Sequence, residues 1–364
     1  MVELSSLIEQ IIGFIAVYYI LTTALNVKAG MTGIPDFGHA MFFAIGGIAV
    51  GNIASQLTAL MAGYKPMDAI YNNTALMAHL NKEFLPQEPV VSILILIAAI
   101  IIALVLGGLL GLLASYPALR LRGDYLAIML LAASEGLRIF TTYTPQLMGS
   151  TPTVGLTKPD LFAWTGDSGL AGTVFTVIAA IAVYIYMERF YNSPTGRLLR
   201  AVRDDEESAM AVGKNIALVR RDSMIVGSAL AALAGVIYSV NPWMGGASVA
   251  AQSIFDRVFW TFWPWALMIL GGMASNKGVG VVTVIVGTLI IGPIRINKQQ
   301  LAELLPVEAI GLDPGNFANA LEYILIGLLI LAVLFARPQG VIPEGPSKTL
   351  SDQYLRKLKG SDKE

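Results

Sequence analysis

The chain of 364 residues is 55% hydrophobic and 13% charged, whereas an average soluble domain has roughly 25% charged residues. A formal net charge of -1 and the lack of a broad basic surface argue against nucleic acid as a partner. Since the chain has no cysteine and its histidines are His39 and His79, it offers no disulfide, no thiolate metal site and little for any other metal centre. The apolar residues form long blocks without charge, which is typical of membrane proteins.

Nine apolar stretches are long enough to cross a bilayer. A helix needs about 20 apolar residues to cross ~30 Å of hydrocarbon, because its backbone amides must be paired within the segment. We therefore predict an all-α, polytopic helix bundle of about nine spans, within a range of about eight to ten. The first stretch lacks a basic leading region and a clear cleavage site, so we interpret it as a retained span. The predicted spans are residues 8–27, 37–57, 90–115, 125–143, 168–187, 223–243, 258–276, 278–294 and 317–336.

Lysine and arginine determine the predicted orientation, because they accumulate on the cytoplasmic side of membrane proteins. Placing the basic loop between the fifth and sixth spans inside gives about three basic residues inside for each one outside. The N-terminus is then outside and the C-terminus cytoplasmic. We predict a membrane domain at 1–336, with a cytoplasmic loop 191–222, and a mobile charged tail at 337–364. Three outside segments are either solvated connectors or short surface helices, or they form a docking surface for a substrate-delivering protein. They are residues 58–89, 144–167 and 295–316.

The loop 191–222 contains signals for two short helices. Ser193 followed by Pro194 is typical of a helix cap and the first helical position. Basic residues then recur at every third position and so occupy one face of the helix. They are Arg197, Arg200 and Arg203. A helix is therefore predicted to begin at Pro194.

A second helix is predicted directly after the first. Asp204 can cap it, with Glu207 three residues further on as in a capping box. Gly213 suits the left-handed position that ends many helices. From these residues alone, a short bent helical element below the membrane and an ordinary charged connector are equally good interpretations.

A few charged residues lie within the predicted spans or at their ends. Glu135 and Arg138 are one turn apart in the fourth span, where burying either charge alone costs about 2.5–3.5 kcal/mol. Their spacing allows an ion pair, which is either an internal clamp or part of a polar pathway. Asp36 and His39 lie at the cytoplasmic start of the second span. An aspartate there needs water or a partner, and the histidine is either a packing residue or a ligand.

Several stretches of the sequence resemble, in the same order, motifs of the branched-chain amino acid permeases of ABC transporters. The resemblance covers about residues 30–290. Two departures are Asp36, where that family usually has a serine, and Ala274, where it has a glycine. The matching stretches are 37–46 (FGHAMFFAIG), 119–128 (LRLRGDYLAI), 196–206 with 208–215 (GRLLRAVRDDE, SAMAVGKN) and 271–275 (GGMAS).

The resemblance implies a permease subunit of an ATP-binding-cassette importer in the cell membrane. Such a subunit provides the path for branched-chain amino acids or related small polar metabolites, and its loop helix docks into a groove on a cytoplasmic ATPase. The residues that this implies for ATPase coupling are Arg200, Arg203, Asp204, Glu206, Glu207, Ala209 and Gly213. The candidates for the path, or for structural pairs, are Asp36, His39, Glu135 and Arg138.

The expected partners are two ATPase subunits, a second permease subunit, an external substrate-binding protein and membrane lipid. The chain has no G-x-x-x-x-G-K-[ST] motif, so these ATPases would use the ATP and Mg. We expect no enzymatic activity, cofactor or metal on the chain itself. The alternative function is an ion-gradient-driven secondary transporter of small metabolites, which should show two repeats with matched acidic sites. No convincing repeat of this kind is found, and the clustered catalytic groups of an intramembrane enzyme are also lacking in the sequence.

Overall fold

The computed structural model describes residues 4–121, 123–148, 155–288 and 339–345, and single positions between 317 and 335. Helices make up most of these residues, which confirms the predicted all-α class. Two short strands, β1 (Leu156–Thr157) and β2 (Ser248–Val249), pair antiparallel. The α-helices are α1 (Leu4–Leu25), α2 (His39–Ile48), α3 (Ser55–Met61), α4 (Asp68–Tyr71), α5 (Asn73–His79), α6 (Pro89–Arg120), α7 (Asp124–Thr142), α8 (Pro145–Met148), α9 (Ser168–Asn192), α10 (Pro194–Asp204), α11 (Glu206–Ala211), α12 (Ile216–Val240), α13 (Pro242–Gly245), α14 (Ala251–Ile254), α15 (Trp263–Gly271) and α16 (Asn276–Val286). The π-helical segments are π1 (Asn26–Gly30), π2 (Ala49–Ala54), π3 (Leu80–Phe84) and π4 (Val258–Phe262).

Within the described residues, six helical stretches are long and apolar enough to cross a membrane. They coincide with the first six predicted spans, because only a helix lets a single apolar stretch of this length pair its own backbone in lipid. The stretch that contains α12 is the most buried, whereas fewer than a third of the residues are buried in the stretches of α7 and α9. The six are Ser5–Gly30, His39–Met61, Pro89–Arg120, Asp124–Thr142, Ser168–Asn192 and Ile216–Val240.

The seventh and eighth predicted spans, 258–276 and 278–294, have different boundaries in the structure. Two helical stretches, Ala251–Gly271 and Asn276–Val286, meet at a bend of 117°. They are long and apolar enough for a span only when taken together, so the described residues contain six spans, or seven with this pair. The ninth predicted span, 317–336, lies outside the continuously described residues.

The bend occurs at residues 272–275 because the backbone there turns left-handed twice. Gly272 has a φ of 105° and Ala274 a φ of 58°, conformations that end a helix. Ser275 then begins the next helix, since its hydroxyl accepts a hydrogen bond from the Gly278 amide at 3.1 Å. The sequence prediction ended the seventh span at residue 276 and began the eighth at residue 278, because it followed apolar length and ignored backbone conformation.

The central helix of the bundle is α12, which packs against α1, α2 and α6. Its approach to α2 needs glycine: a Cβ on Gly235 would lie 1.9 Å from the Phe43 carbonyl oxygen, and one on Gly46 would lie 2.1 Å from the Ala232 carbonyl oxygen. Small residues at such contacts let helix backbones approach closely in lipid. Van der Waals packing of these backbones therefore holds the centre of the bundle together.

Two features close the end of the bundle opposite to the loop 191–222. The side chain of Trp260, in π4, stacks on Phe43 with ring centroids 4.0 Å apart. Lys158, directly after β1, is 5% exposed and its Nζ donates hydrogen bonds to the carbonyl oxygens of Ser239 and Asn241. Burial lowers the pKa of Lys158 to about 7. The long connection between α7 and α9 is thereby fixed to the end of α12.

Candidate functional site

The helix α10 begins as its sequence predicts. The Ser193 hydroxyl accepts a hydrogen bond from the Gly196 amide at 3.1 Å, and Pro194 occupies the first helical position. Gly196 also packs against the end of α9, since a Cβ on it would lie 2.4 Å from the Phe190 carbonyl oxygen. Both the cap and this close contact join α10 rigidly to α9.

The cap of the following helix lies one residue later than predicted. Asp204 is the last residue of α10, and its carboxylate accepts a hydrogen bond from Arg203 Nε at 2.9 Å. Asp205 is extended, with φ -156° and ψ 104°, and its carboxylate accepts a hydrogen bond from the Ser208 amide at 3.0 Å. A cap residue needs this extended backbone, which Asp204 lacks. Hydrogen bonds from the Ser208 hydroxyl and amide lower the pKa of Asp205 below its usual value.

The outer face of α11 is open to solvent. Glu207 is exposed, and so are the apolar side chains of Met210 and Val212, at 50% and 72%. Gly213 ends the helix with a φ of 78°, as predicted from its position in the sequence. Ala209 is buried and forms the inner face. The helix thus presents an exposed patch in which one acidic side chain lies beside polar and apolar ones. We call it the α11 patch (Glu207, Ser208, Met210–Val212).

Three of the other charged residues predicted for coupling face the protein, whereas Asp204 is exposed. Arg200 and Arg203 both bind the carboxylate of Glu344, with nitrogen to oxygen distances of 3.0 and 2.8 Å. Glu206 forms an ion pair with Arg220 of α12. These contacts attach both short helices to the bundle. A role in ATPase coupling for any of these residues stays a prediction.

A second group of charges lies buried where α1 meets α2. Lys28, Asp36 and His39 have no solvent exposure. The Lys28 ammonium forms an ion pair with Asp36, and Asp36 Oδ2 lies 3.1 Å from His39 Nδ1. Lys28 lies in π1 and its Nζ is also 4.1 Å from the centre of the Phe42 ring. The partner that the sequence required for Asp36 is therefore a lysine eight residues earlier in the chain.

The remaining polar atoms around Asp36 are also satisfied. Its Oδ1 accepts a hydrogen bond from the Gly38 amide at 3.1 Å, and its carbonyl oxygen accepts one from Trp265 Nε1 at 3.0 Å. His39 Nε2 lies 3.0 Å from the Leu21 carbonyl oxygen. Burial alone would raise the pKa of Asp36, but the Lys28 charge and the His39 hydrogen bond outweigh it and lower this pKa to about 2. We call Lys28, Asp36 and His39 the buried charge cluster.

The predicted pair in the fourth span is present on α7. Arg138 Nη2 and Nε donate hydrogen bonds to Glu135 Oε1 at 2.5 and 3.0 Å. Arg257, which precedes π4, lies on the other side with its Nε 4.0 Å from Glu135 Oε2. In contrast to the buried charge cluster, these side chains are between 29% and 47% exposed. We call Glu135, Arg138 and Arg257 the α7 charge cluster.

No group of three His, Asp or Glu side chains in the described part of the chain could hold a metal ion.

The sequence comparison identifies the family of the chain. The family model of the branched-chain amino acid transport system permease component matches residues 7–334. The chain belongs to this family.

Individual relatives of the permease agree with this assignment. The chain is 36% identical over 346 residues to the "Probable branched-chain amino acid transport permease protein LivM" of Methanocaldococcus jannaschii, covering 93% of this chain and 94% of that protein. It is 23% identical over 351 residues to the "High-affinity branched-chain amino acid transport system permease protein LivM" of Escherichia coli K12, covering 90% and 68%. No solved structure gives a significant match. The family and the apolar helices together identify a multi-pass transport protein of the cell membrane.

Sequence reasoning missed a partner in each of these charged sites of the permease. Lys28 was not paired with Asp36, although the need of Asp36 for a partner was a usable signal. Arg257 was also not named as a partner of Glu135. Glu344 gave no signal at all, because it is separated from Arg200 by 144 positions in the chain. Such pairings depend on how the helices pack and have no local pattern.

Proposed function

We propose that this permease is the membrane-spanning subunit of an ATP-binding-cassette importer for branched-chain amino acids, and that separate subunits hydrolyse the ATP. The names of its relatives support the substrate class. The observation that carries the coupling part is the α11 patch. It is exposed and partly apolar, whereas Arg200, Arg203 and Glu206 of the same loop are bound by ion pairs inside the protein.

The connections of this loop suit it to transmit a force from a docked ATPase. α10 is joined to α9 through the Ser193 cap, and α11 is joined to α12 through the Glu206–Arg220 ion pair. Movement of a docked α11 would therefore shift α12, the helix that packs against α1, α2 and α6. Discrete movement of packed elements is a common way to couple distant sites. We include two ATPase subunits, a second permease and an external binding protein in this proposal.

We further propose that the face of α7 with the α7 charge cluster borders the substrate path. Glu135 and Arg138 lie inside a candidate span and are 29% and 34% exposed. Lipid contact is unfavourable for such charges, since each costs about 2.5–3.5 kcal/mol in hydrocarbon. A water-filled path next to this face removes that cost. The carboxylate and the guanidinium groups also complement the two charges of an amino acid.

The test is uptake by proteoliposomes that contain the permease with or without candidate ATPase subunits encoded with it. We expect uptake of labelled leucine, isoleucine or valine to require the ATPase, ATP and Mg. Uptake that persists without the ATPase and stops when an ionophore removes the ion gradient would instead support the secondary transporter.

A matched pair of glycine variants tests the docking surface. Gly213 and Gly63 both have positive φ, at 78° and 84°, and neither has an atom within 4 Å of its Cβ position. They therefore share the same backbone strain on substitution, but Gly63 follows α3 and not α11. Gly213→Val should weaken recovery of the ATPase subunits, whereas Gly63→Val should not. Equal recovery with both variants would contradict docking at α11.

A further inference from the structure

The first described part of the tail, residues 339–345, is packed against the bundle. The Val341 amide donates a hydrogen bond to the Leu270 carbonyl oxygen at 2.7 Å, and the Ile342 amide donates one to the Gly271 carbonyl oxygen at 3.3 Å. These carbonyls belong to the end of α15, directly before the bend at 272–275. The tail thus occupies acceptors that the end of a helix leaves unpaired.

Three glycines make room for this contact. Gly340 has a φ of 80°, and a Cβ on it would lie 2.5 Å from both Cα and N of Gly272. A Cβ on Gly272 would in turn lie 2.4 Å from the Ile342 carbonyl oxygen. One on Gly278 would lie 2.9 Å from the same oxygen. The tail and the α15–α16 bend therefore touch backbone to backbone, which indicates a built seat rather than a passing contact.

The same stretch of tail ends on α10. The two carboxylate oxygens of Glu344 accept hydrogen bonds from Arg200 Nη1 at 3.0 Å and from Arg203 Nη2 at 2.8 Å. Since Arg200 and Arg203 lie three residues apart on one helix face, their charges repel each other without an acid between them. Glu344 is 26% exposed and the two arginines less, so solvent screens these ion pairs only in part.

Both arginines also hold the ends of other spans. Arg200 Nη2 donates a hydrogen bond to the carbonyl oxygen of Tyr191 in α9 at 3.1 Å. Arg203 Nη1 donates one to the carbonyl oxygen of Gly30 in π1 at 2.8 Å. Glu344 therefore orients two guanidinium groups that connect α10 with the ends of α1 and α9.

We infer that residues 340–344 form a clasp that makes α10, the α15–α16 bend and the ends of α1 and α9 move as one unit, with Glu344 as its positioning residue. The clasp lies on the inner side of α10 and leaves the α11 patch free. Its contribution to coupling rests on the proposed function, whereas the clasp itself does not. When a partner shifts α10, Glu344 passes the shift to the α15–α16 bend through the backbone hydrogen bonds of Val341 and Ile342.

The first experiment needs no ATPase and uses the absence of native cysteine. Val202 of α10 has no solvent exposure, so a Val202→Cys side chain reports opening of α10 through its rate of maleimide labelling. Adding Glu344→Gln should raise this rate roughly tenfold, because two charge-assisted hydrogen bonds are weakened. The control is Glu83→Gln, which removes an exposed glutamate that pairs with His79. An unchanged labelling rate with Glu344→Gln would overturn the clasp.

A glycine pair tests the seat without changing charge. Gly340→Ala should raise the labelling rate of Val202→Cys as Glu344→Gln does, because its Cβ displaces the tail from Gly272. Gly345→Ala is the control, since no atom lies within 4 Å of its Cβ position. Equal rates for the two alanine variants would show that the tail has no seat at the bend. If Gly340→Ala or Glu344→Gln does not fold, the protein no longer elutes as a monodisperse peak. The labelling rate of the other variant then decides whether the clasp exists.

The second experiment separates the clasp from the proposed function. In proteoliposomes with the ATPase subunits, Glu344→Gln should bind these subunits normally but transport several-fold less substrate per ATP hydrolysed. Unchanged transport per ATP, with faster labelling of Val202→Cys, would overturn the coupling role of the clasp. If the parent permease neither binds an ATPase nor uses ATP, the proposed function fails, while the labelling result still decides whether the clasp exists.

Discussion

Lys28, Asp36 and His39 have no solvent exposure, whereas Glu135 and Arg138 of α7 are 29% and 34% exposed. Both groups are ion pairs in or beside candidate spans. In the buried charge cluster every charge has a partner within the protein, so the loss of one partner should reduce the stability of the folded protein. In the α7 charge cluster two cations share one carboxylate and all three side chains are partly exposed, so loss of this cluster should affect transport more than stability. This difference in burial favours a structural role for the buried charge cluster and supports the proposed pathway role of the α7 charge cluster.

The same contrast applies to the glycines of the two regions. A Cβ on Gly235 of α12 would lie 1.9 Å from a backbone oxygen of α2, whereas Gly136 of α7 has no atom within 4 Å of its Cβ position. The α1–α2–α12 region is packed without space, and the face of α7 with Gly136 is open.

Asp36→Asn should cause the largest loss of stability. It leaves the Lys28 ammonium buried without a negative partner, which costs about 3–5 kcal/mol in comparable sites. The measurement is the thermal unfolding midpoint and the monodisperse yield in detergent, with the exposed Asp124→Asn as the control. Adding Lys28→Met should recover part of the loss. A parent-like midpoint for Asp36→Asn would contradict a structural role of this cluster.

Gly235→Ala should destabilise the protein by about 1–3 kcal/mol, because the added methyl group forces α12 away from α2. Gly136→Ala is the matched control on α7 and should be neutral or slightly stabilising, since alanine favours helix. Unfolding midpoints of both variants provide the measurement. If Gly136→Ala lost as much stability as Gly235→Ala, the face of α7 would be packed and not open.

Lys158 is a buried base whose hydrogen-bond acceptors are carbonyls, and it predicts a pH dependence of stability. Its pKa is about 7 in the folded protein and about 10.4 when unfolded, so between these values the unfolded chain binds more protons. Stability should therefore rise with pH across this window, by at most about 1.4 kcal/mol per pH unit. The rise of the unfolding midpoint from pH 6.5 to 9 should shrink in Lys158→Met and persist in the exposed Lys65→Met. Equal slopes in all three proteins would contradict the lowered pKa.

Glu135→Gln should change stability by less than about 1 kcal/mol, because the ion pair with Arg138 is partly solvated. Its effect should appear in uptake, where Glu135→Gln should be impaired more than Glu135→Gln combined with Arg138→Gln. The single variant leaves two cations, Arg138 and Arg257, without a carboxylate, while the double variant leaves only Arg257. Additive losses of uptake in this double-mutant cycle would argue against a functional pair.

Whether a sequence prediction was correct depended on how far apart in the chain the interacting residues are. The Ser193 cap, the end of α11 at Gly213 and the pair Glu135–Arg138 involve residues within a few positions, and the structure contains each of them. The cap at Asp204 failed by one residue, because its helical backbone follows from where α10 ends. The seventh and eighth spans failed at a turn of left-handed residues, which apolar length does not detect.

The sequence by itself determined the class of the protein, its first six spans and its family resemblance. These properties depend on apolar length and on local motifs, which any stretch of chain carries within itself. Only the tertiary structure decided that Asp36 pairs with Lys28, that Arg257 joins Glu135 and that Glu344 joins Arg200 to Arg203. A charge in a bundle takes whichever partner the packing brings near, and packing depends on contacts between helices that are far apart in the chain. The roles of these charges are therefore set by burial and proximity, which are properties of the folded bundle alone.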